Sequence, residues 1–419
     1  MFGLRCIGCC GLLLPVARGE RKRDARDAVD LGKRQIVGRR LIRLLEDQLA
    51  HFQRAETHGN RILHYDHVVV AHLIAFFNPS VDSLRTIEDV FEHRRARRLF
   101  KLPRVPRSTL SDAQRLFDPA LLQPIVDSLA QRVERLPCDS RLDELTRQIV
   151  AVDATFFEAA SRIAWALPHN STSARGTVQL CLHLDVLHGA PLGFTLLGGQ
   201  CSEQQELPKA LASGRLYLLD RAYQSYEQLD AIADIGSDFV VRLRRSANFQ
   251  VCDDQPLTVG DRRAGVQHDR VVTPRDRHYR FTVPVRLVEI GVPGESEPVR
   301  LLTNRLDLPA ELIGLLYRHR WQIELFFRWL KCVVKLRHFV SESAAGMAIQ
   351  LYVAMIGTLL IALESGTRPS KYDYVQMSLA ANGLVTLDEA RRVAAKRRAE
   401  RARAAAWQKQ YNARKKAAL

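Results

Sequence analysis

The sequence predicts an α/β protein with a helical N-terminal region, a sheet-containing centre interrupted by a β-rich insertion, and a basic helical C-terminal end. Apolar residues recur at three- and four-residue spacing from Leu44 to about Arg147, which indicates helices. Short apolar runs bounded by turns begin at Gln148, and a long helical pattern opens at Pro309. The chain of 419 residues is long enough for two or three domains.

The N-terminal helical region, residues 44–147, contains two short segments joined by a basic stretch. The segments are Val81–Phe91 and Ser108–Phe117, and the second starts at good N-cap residues after Pro103 and Pro106. This pattern fits a helix-turn-helix-like DNA reader and fits an ordinary helical bundle equally well. The cations of the connecting stretch are Arg94, Arg95, Arg97, Arg98, Lys101, Arg104 and Arg107.

The central region, residues 148–365, begins with short runs typical of buried strands. Two of them, Gln148–Asp153 and Leu216–Asp220, end in an aspartate. The others are Thr177–Val186, Gly193–Leu197 and Asp238–Leu243. Residues 246–304 are again strand-rich with turns between the strands, which predicts a β insertion.

Two helices are predicted to close the central region. The first runs from Pro309 to about Leu336. The second, residues 344–363, has no charged residue and is long enough to span a membrane. A helix buried in a large core has the same hydropathy, and we favour that interpretation because this segment directly follows the first helix.

The charge of the chain predicts a polyanionic partner. Lys and Arg number 62 against 46 Asp and Glu, which gives a net charge of +16. Nucleic acid is the first candidate for such a surplus. Part of it lies in the C-terminal region, residues 366–419, where eleven Lys and Arg follow from Arg391 onward against one acid, Glu400. This run either contacts DNA non-specifically or forms a solvated helix.

The first 43 residues form a basic leader that is either disordered or a misassigned start. Its first 17 residues are apolar, but the basic run that follows them opposes export. The eight cysteines are widely spaced beyond residue 10, so we expect free thiols in a reducing cytoplasm.

The helix opening at Pro309 is expected to present two adjoining faces. With Tyr317 at 0°, the helical bearings of Arg320, Glu324 and Lys331 are roughly −60°, −20° and −40°, a single narrow arc. An apolar stripe lies beside that arc and consists of Leu316, Ile323, Phe327, Leu330 and Val334. Taken alone, Glu324 could simply be the surface ion-pair partner of Arg320.

Asp153 and Asp220 change that interpretation, because each is expected where a buried strand ends. Ligands bind at such sheet edges, and a carboxylate there needs a partner. Together with Glu324 they could hold two Mg²⁺ ions and support in-line attack on a phosphate. Arg320 and Lys331 could grip successive phosphates of a DNA strand, and Tyr317 could bond a phosphate oxygen or stack on a base.

The helix face resembles the YREK signature of insertion-sequence transposases of the DDE class. The signature residues stand in YRHRWQIELFFRWLK, from Tyr317 to Lys331. Asp153 in VAVDATFF and Asp220 in LYLLDRAY resemble the two catalytic aspartates of that family. The resemblance covers about residues 45–365.

The resemblance implies an RNase H-like catalytic domain over residues 148–365, with the β insertion at about 246–304, and a DNA-binding domain over residues 44–147. It implies cut-and-paste DNA transposition: binding of terminal inverted repeats, strand cleavage and strand transfer. The cofactors would be two Mg²⁺ ions, which Mn²⁺ could replace. The partners would be transposon ends and target DNA, held by a homodimer that often works through a hairpin. The implied location is the bacterial cytoplasm, associated with the nucleoid.

Two rival functions remain open, a site-specific DNA endonuclease of the same fold and an inactive DNA-binding repressor derived from a transposase. Intact acids speak against the repressor. Near the site, we expect His183 and Asp185 to be a structural polar pair on a strand and not further ligands. Trp321 and Trp329 lie on the signature helix, and we expect Trp321 to pack in the core or an interface.

Overall fold

A nine-stranded sheet forms the centre of the computed structural model. The model describes residues 63–100, 104–158, 177–198, 207–275, 279–336 and 339–417, so the predicted leader and Lys101 lie outside the described residues. The strand order is β3-β2-β1-β4-β5-β9-β8-β7-β6. The strands are β1 (Gln148–Glu158), β2 (Thr177–Asp185), β3 (Ala190–Gly198), β4 (Arg215–Leu219), β5 (Asp238–Arg242), β6 (Phe249–Asp254), β7 (Val266–Pro274), β8 (Val285–Ile290) and β9 (Val299–Thr303).

Strand β1 is longer than the sequence predicts. Its parallel pairing with β4 ends at Val152 opposite Leu219, but its antiparallel pairing with β2 continues to Glu158. The expectation that Asp153 ends a strand is therefore wrong, since Asp153 lies in mid-strand, just past the parallel pairing. Asp220 does follow the end of β4. The two aspartates consequently lie at the same edge of neighbouring parallel strands.

The segment predicted as a β insertion contains β6 to β9. These strands pair antiparallel with one another, and β9 pairs antiparallel with β5, so the segment extends the central sheet. A buried ion pair between β7 and β8 joins Arg286 Nη2 to Asp269 Oδ2 at 2.5 Å.

Both faces of the sheet are covered, as the alternation of β1 shows. Ile149 and Ala151 face a large core shared with most of the helices. Val150 and Val152 face a smaller core on the other side. Successive strand residues point to opposite faces, so a continuous apolar run is what a doubly covered strand requires.

The helices lie mostly on the side of the larger core. Those from the N-terminal and central regions are α1 (Tyr65–Phe77), α2 (Leu84–Glu92), α3 (Arg94–Phe100), α4 (Arg107–Leu116), α5 (Gln123–Ala130), α6 (Tyr226–Asp234), α7 (Val259–Arg263), α8 (Ala310–His319) and α9 (Trp321–Arg328). The last three are α10 (Ala344–Ser365), α11 (Lys371–Ala381) and α12 (Leu387–Ala417).

Helix α10 is the apolar segment that met the length rule for a membrane span. It is 22 residues long, and 83% of its most apolar window is buried inside the protein. Ser343 caps its start and Gly366, with φ of 60°, ends it. Helices α1, α4 and α5 and strand β3 pack against it. The expectation of a buried core helix is confirmed.

Gly357 of α10 permits this close packing. A Cβ atom at this position would lie 2.4 Å from Cε1 of Phe76 in α1. We expect Gly357→Val to lower the free energy of unfolding by about 1–3 kcal/mol, because Phe76 is buried and has little room to move. Urea unfolding checks this.

A Phe76→Leu background is the control for that substitution. Leucine takes up less of the space that the ring occupies, so Gly357→Val should cost less there than in the wild type. Equal costs in the two backgrounds would show that the contact with Phe76 is not what requires glycine.

Candidate active site

The helix that carries the candidate residues is interrupted at Arg320, where the sequence predicts a continuous helix from Pro309 to Leu336. The Arg320 amide donates to the Tyr317 carbonyl at 3.0 Å, and the Ile323 amide donates to the Arg320 carbonyl at 3.1 Å. Both bonds span three residues, which tightens the turn. Beyond α9, Trp329–Val333 forms a π-helical turn, so the bearing expected for Lys331 from a regular α-helix does not apply.

The apolar face of this helix anchors it to the sheet side of the core. Leu316, Ile323, Phe327 and Leu330 are buried, and Val334 is half-buried against the same core. Because the apolar face is buried, the adjoining polar face of the helix points toward the strand ends. Helix α9 packs against β1, which brings Glu324 near Asp153.

Arg320 links two of the predicted acids. Its Nη1 donates to Asp153 Oδ2 at 3.2 Å, and its Nη2 donates to Glu324 Oε1 at 2.7 Å. The guanidinium is only 10% exposed, and its Nε atom is buried without a hydrogen-bond partner among the described residues. A strand residue and a helix residue are thus joined by one buried cation.

Tyr317 links the third acid to the same cluster. Its hydroxyl donates to Asp220 Oδ1 at 3.2 Å, and the Arg320 guanidinium carbon lies 5.7 Å from the centre of its ring. Burial raises the pKa of Tyr317 to about 12, so the hydroxyl stays protonated and remains a donor at neutral pH. Asp153, Asp220 and Glu324 therefore belong to one connected network.

The electrostatics of this network follow from burial and from the charges within it. Burial raises the pKa of Asp153 above its ordinary value of 3.8, and the neighbouring Asp220 and Glu324 act in the same direction. Burial alone would lower the pKa of Arg320, but Tyr317 and the three acids outweigh it and leave that pKa above its ordinary value. Arg320 is thus a permanent cation in the midst of the three carboxylates.

Lys331 reaches β1 instead of the acids. Its Nζ donates to Thr155 Oγ1 and to the Phe156 carbonyl, both at 2.7 Å, and lies 5.0 Å from the centre of the Phe157 ring. Burial lowers its pKa below the ordinary value of 10.5. The structure places Lys331 beside the network, two to three residues along the strand from Asp153.

The three acids offer the kind of oxygen ligands that a divalent metal needs. Carboxylate oxygens are the donors that Mg²⁺ prefers, and Asp153, Asp220 and Glu324 supply them. In the part of the chain that the structure describes, no group of three His, Cys, Asp or Glu side chains is arranged as a metal site. In this structure the Arg320 guanidinium supplies the positive charge that a metal ion would supply. The three carboxylates therefore fit a metal if Arg320 withdraws from Asp153 and Glu324.

Of the other predicted residues, Asp185 and His183 make separate contacts. Asp185 accepts bonds from the amides of Leu187 and His188 and from Gln148, and it pairs with His188 Nδ1 at 3.0 Å. His183 is buried with its ring edge toward Tyr217, and burial followed by the charge of Arg215 lowers its pKa to about 4. These contacts are structural ones.

The two tryptophans differ. Trp329 is buried and donates to Thr358 Oγ1 at 2.9 Å. Trp321 is 51% exposed, so it does not pack in the core, and packing in an interface stays a prediction.

Two residues near the site were not singled out from the sequence. Thr155 accepts the Lys331 bond, but nothing in the run VAVDATFF distinguishes its hydroxyl. Arg242 ends β5, and its charge acts on the Tyr317 hydroxyl. The one available signal was a cation at the end of a strand run, DFVVRL, beside the run that ends in Asp220.

Comparisons with known proteins show what this chain is similar to. A family model described as a transposase DDE domain matches residues 144–360. A protein of Sinorhizobium fredii assigned as transposase y4zB is 31% identical over 158 residues, which cover 37% of this chain and 44% of that protein. A protein of Synechocystis sp. assigned as the transposase of insertion sequence element IS4SA is 22% identical over 269 residues, which cover 62% of this chain and 73% of that protein.

Among solved structures, the chain is similar to piggyBac transposase in a synaptic complex with hairpin DNA. The identity is 10%, the TM-score is 0.38, and the match covers 83% of this chain and 74% of the other.

The role of Arg320 as counter-ion can be measured without any substrate. In Arg320→Gln the three carboxylates lose their buried cation, so we expect the unfolding free energy to fall by about 3 kcal/mol or more. Magnesium ions can replace that cation, so 10 mM Mg²⁺ (about that concentration suffices for weak carboxylate sites) should raise the Tm of this variant more than that of the wild type. Thermal unfolding with and without Mg²⁺ measures both effects.

Arg318→Gln is the matched control, because Arg318 is exposed and neighbours Arg320. It should leave the Tm and its response to Mg²⁺ close to those of the wild type. An Arg320→Gln variant with wild-type stability would contradict the assigned role.

The pair of His188 and Asp185 predicts a pH dependence of stability. The bond to Asp185 raises the pKa of His188 above 6.5, so its contribution is present below that pH and is lost as pH rises through the raised pKa. The bonds from His188 and Gln148 outweigh burial and lower the pKa of Asp185 below 3.8, so its contribution is lost only as pH falls through that lowered value. The pair therefore stabilises the fold most between about pH 4 and 6.5.

We expect His188→Gln to cost about 0.5–1 kcal/mol at pH 5.5, since His188 is partly exposed, and less at pH 8.5. Urea unfolding at the two pH values measures this, with the exposed His93→Gln as the control. A cost that is larger at pH 8.5 would sink the assignment.

Proposed function

The chain belongs to the transposase DDE domain family of DNA-processing enzymes, and from that premise we propose that it is a DNA transposase of an insertion sequence. The family model covers more than half of the chain. In the proposed reaction the protein binds terminal inverted repeats, cleaves DNA strands with the help of divalent metal, and transfers the freed end to target DNA by a cut-and-paste route. The subgroup we propose is the one with the YREK signature.

The observation that carries the proposal is the network around Arg320. Asp153 and Glu324 bind the buried Arg320 guanidinium directly, and Asp220 joins the same network through Tyr317. Such a cluster costs free energy in a protein with no use for it, because like charges are brought together in a partly buried place. Carboxylates gathered in this way are the oxygen ligands that a metal acting on phosphate would use.

Asp153, Asp220 and Glu324 would hold two Mg²⁺ ions, for which Mn²⁺ can substitute. Enzymes of the DDE class generally depend on divalent metal. When bound, the metal would supply a lowered pKa for the attacking water or 3′-hydroxyl and a positive charge for the leaving oxygen. Burial, with the neighbouring Asp220 and Glu324, raises the pKa of Asp153, so a bound cation would favour its ionised form.

The signature residues would act on the DNA backbone. Released from Asp153 and Glu324, the Arg320 guanidinium would be free to bind a phosphate through two parallel hydrogen bonds. Tyr317 stays protonated and would donate to a phosphate oxygen or stack on a base. Lys331 would hold a second phosphate beside β1, with a loss of its bonds to Thr155 and Phe156.

We further propose that the catalytic domain, residues 148–365, is RNase H-like. The order β3-β2-β1-β4-β5, with β1, β4 and β5 parallel to one another and β2 antiparallel to both of its neighbours, β1 and β3, supports this assignment. Strands β6 to β9 would be an insertion within that domain. Each proposed acid then lies on an element that this topology brings to one sheet edge.

The helical N-terminal region is proposed to bind the inverted repeats. Helices α2 and α4 contact each other, and the exposed cations Arg94, Arg95 and Arg98 lie on α3 between them. We propose a homodimer on paired DNA ends, and a bacterial cytoplasmic location in association with the nucleoid. The high net positive charge supports the association with DNA.

A nuclease of the same fold is the rival enzyme, and an inactive DNA-binding repressor is the rival without catalysis. Incubation of cleaved end DNA with supercoiled target plasmid distinguishes the enzymes, because only a transposase yields joined products. The substrate ends are the short inverted repeats expected on either side of the gene. End binding without metal-dependent nicking would favour the repressor.

Substitution of the three acids tests the proposal. Asp153→Asn, Asp220→Asn and Glu324→Gln should each lower the rate of nicking in Mg²⁺ by about 100-fold or more, because a lost metal ligand removes several kcal/mol of transition-state stabilisation. Binding to end DNA should persist, since neutralising an acid does not weaken attraction to phosphate.

Glu144→Gln is the control, because Glu144 is an exposed acid that lies shortly before β1. It should nick at the wild-type rate. Near-normal cleavage by any one of the three acid variants would remove that acid from the site.

A further inference from the structure

The C-terminal half of α12 is a helix without a packing surface. Helix α12 spans 31 residues, and every side chain from Arg401 to Lys415 is exposed. At 1.5 Å per residue, this stretch is roughly 22 Å of helix that stands in solvent on all sides. Short isolated helices are marginal in water, so an exposed stretch of this kind calls for a partner.

The charges divide α12 into a root that packs on the rest of the protein and an arm, residues 401–415, that does not. In the root, Arg391 pairs with Glu364 of α10 and Arg398 pairs with the buried Asp373 of α11. The last acid of the sequence is Glu400, and six cations follow it. Like charges along one helix repel each other, so the arm is electrostatically incomplete without a polyanion.

The distribution of these cations limits the kind of partner. With Arg401 at 0°, the other described cations lie at roughly 80°, 200°, 220° and 320° around the helix axis. They are Lys409, Arg403, Arg414 and Lys415. The apolar residues of 401–415 make only a short patch around Trp407 and Tyr411, whereas a helix on a membrane surface or in a coiled coil would need a stripe along its whole length. Cations lie on both sides of that patch, which fits a groove with phosphates along its two walls.

We propose that the arm lies in the major groove of duplex DNA and forms a DNA contact separate from the three acids. The groove is about 12 Å wide and admits a helix of about 10–12 Å, which then meets the phosphates of both strands on opposite sides. The inference rests on the proposed function for the choice of DNA as the polyanion. The shape and charge of the arm are what indicate binding in a groove lined by phosphates.

Two aromatic residues on the arm support a groove contact. Trp407 and Tyr411 stack with ring centres 5.4 Å apart and planes at 14°, and they are 62% and 52% exposed. They occupy one sector of the arm, so an apolar surface lies between cations. Apolar side chains in the major groove contact thymine methyl groups.

Neutralisation of the arm tests the proposal in the full-length protein. The arm variant carries Arg401→Gln, Arg403→Gln, Lys409→Gln, Arg414→Gln and Lys415→Gln, which preserve helix propensity. The control variant carries five exposed substitutions elsewhere with the same change of net charge, Arg132→Gln, Arg262→Gln, Arg263→Gln, Arg275→Gln and Lys371→Gln. Circular dichroism confirms that both variants are folded.

Binding to a fluorescent 30-bp duplex (about three helical turns) of unrelated sequence is measured by anisotropy over a range of salt concentrations. The arm variant should lose up to about 4.5 units of the slope of log K against log salt, because each of the five lost phosphate contacts contributes about 0.9. The control variant should keep the wild-type slope. Equal slopes in the arm variant and the wild type, or equal losses in both variants, would overturn the proposal.

Duplex RNA of the same sequence and anionic lipid vesicles identify the partner. The deep and narrow major groove of RNA excludes a helix, so the arm substitutions should change RNA binding less than DNA binding. A larger effect of the arm substitutions on RNA or on vesicles than on DNA would overturn the assignment of DNA.

This inference and the proposed function fail in different ways. If the wild type shows no metal-dependent nicking of end DNA but its DNA binding depends on the arm, the catalytic proposal falls and the arm proposal stands. If the wild type nicks end DNA but the arm substitutions leave DNA binding unchanged, only the arm proposal falls.

Discussion

The buried guanidinium of Arg320 is the interaction on which the rest of the site depends. It connects β1 to α9 through Asp153 and Glu324, and its charge acts on Asp220 and Tyr317 as well. Three acids at one sheet edge would repel each other without it. Arg320 itself can be buried because those acids compensate its charge, so the cation and the acids require each other.

The features of the site that depend on local spacing could be predicted from the sequence. The apolar stripe of α8 and α9 follows helical spacing, and Asp220 follows a buried run. The interruption at Arg320 and the π-helical turn after it could not be predicted in this way, because tertiary packing and not propensity sets them.

Strand lengths were predicted less well than strand positions. The run that starts at Gln148 was expected to end at Asp153, but pairing with β2 carries β1 to Glu158. Pairing between distant strands leaves no local mark in the sequence beyond alternation, which the run ATFFE shows only weakly. The buried state of α10 was predictable, because its composition and its position after the site helix agree.

The parallel register of β1 and β4 also has a consequence for how the gene can change. Asp153 and Asp220 each stand one residue beyond the last paired residues, Val152 and Leu219. Because side chains alternate between the faces of a sheet, deletion or insertion of a single residue within β4 would turn Asp220 toward the opposite core. Length variation among descendants of this sequence should therefore avoid β1 and β4 and accumulate in the turns between β6 and β9, where no proposed acid depends on the count of residues.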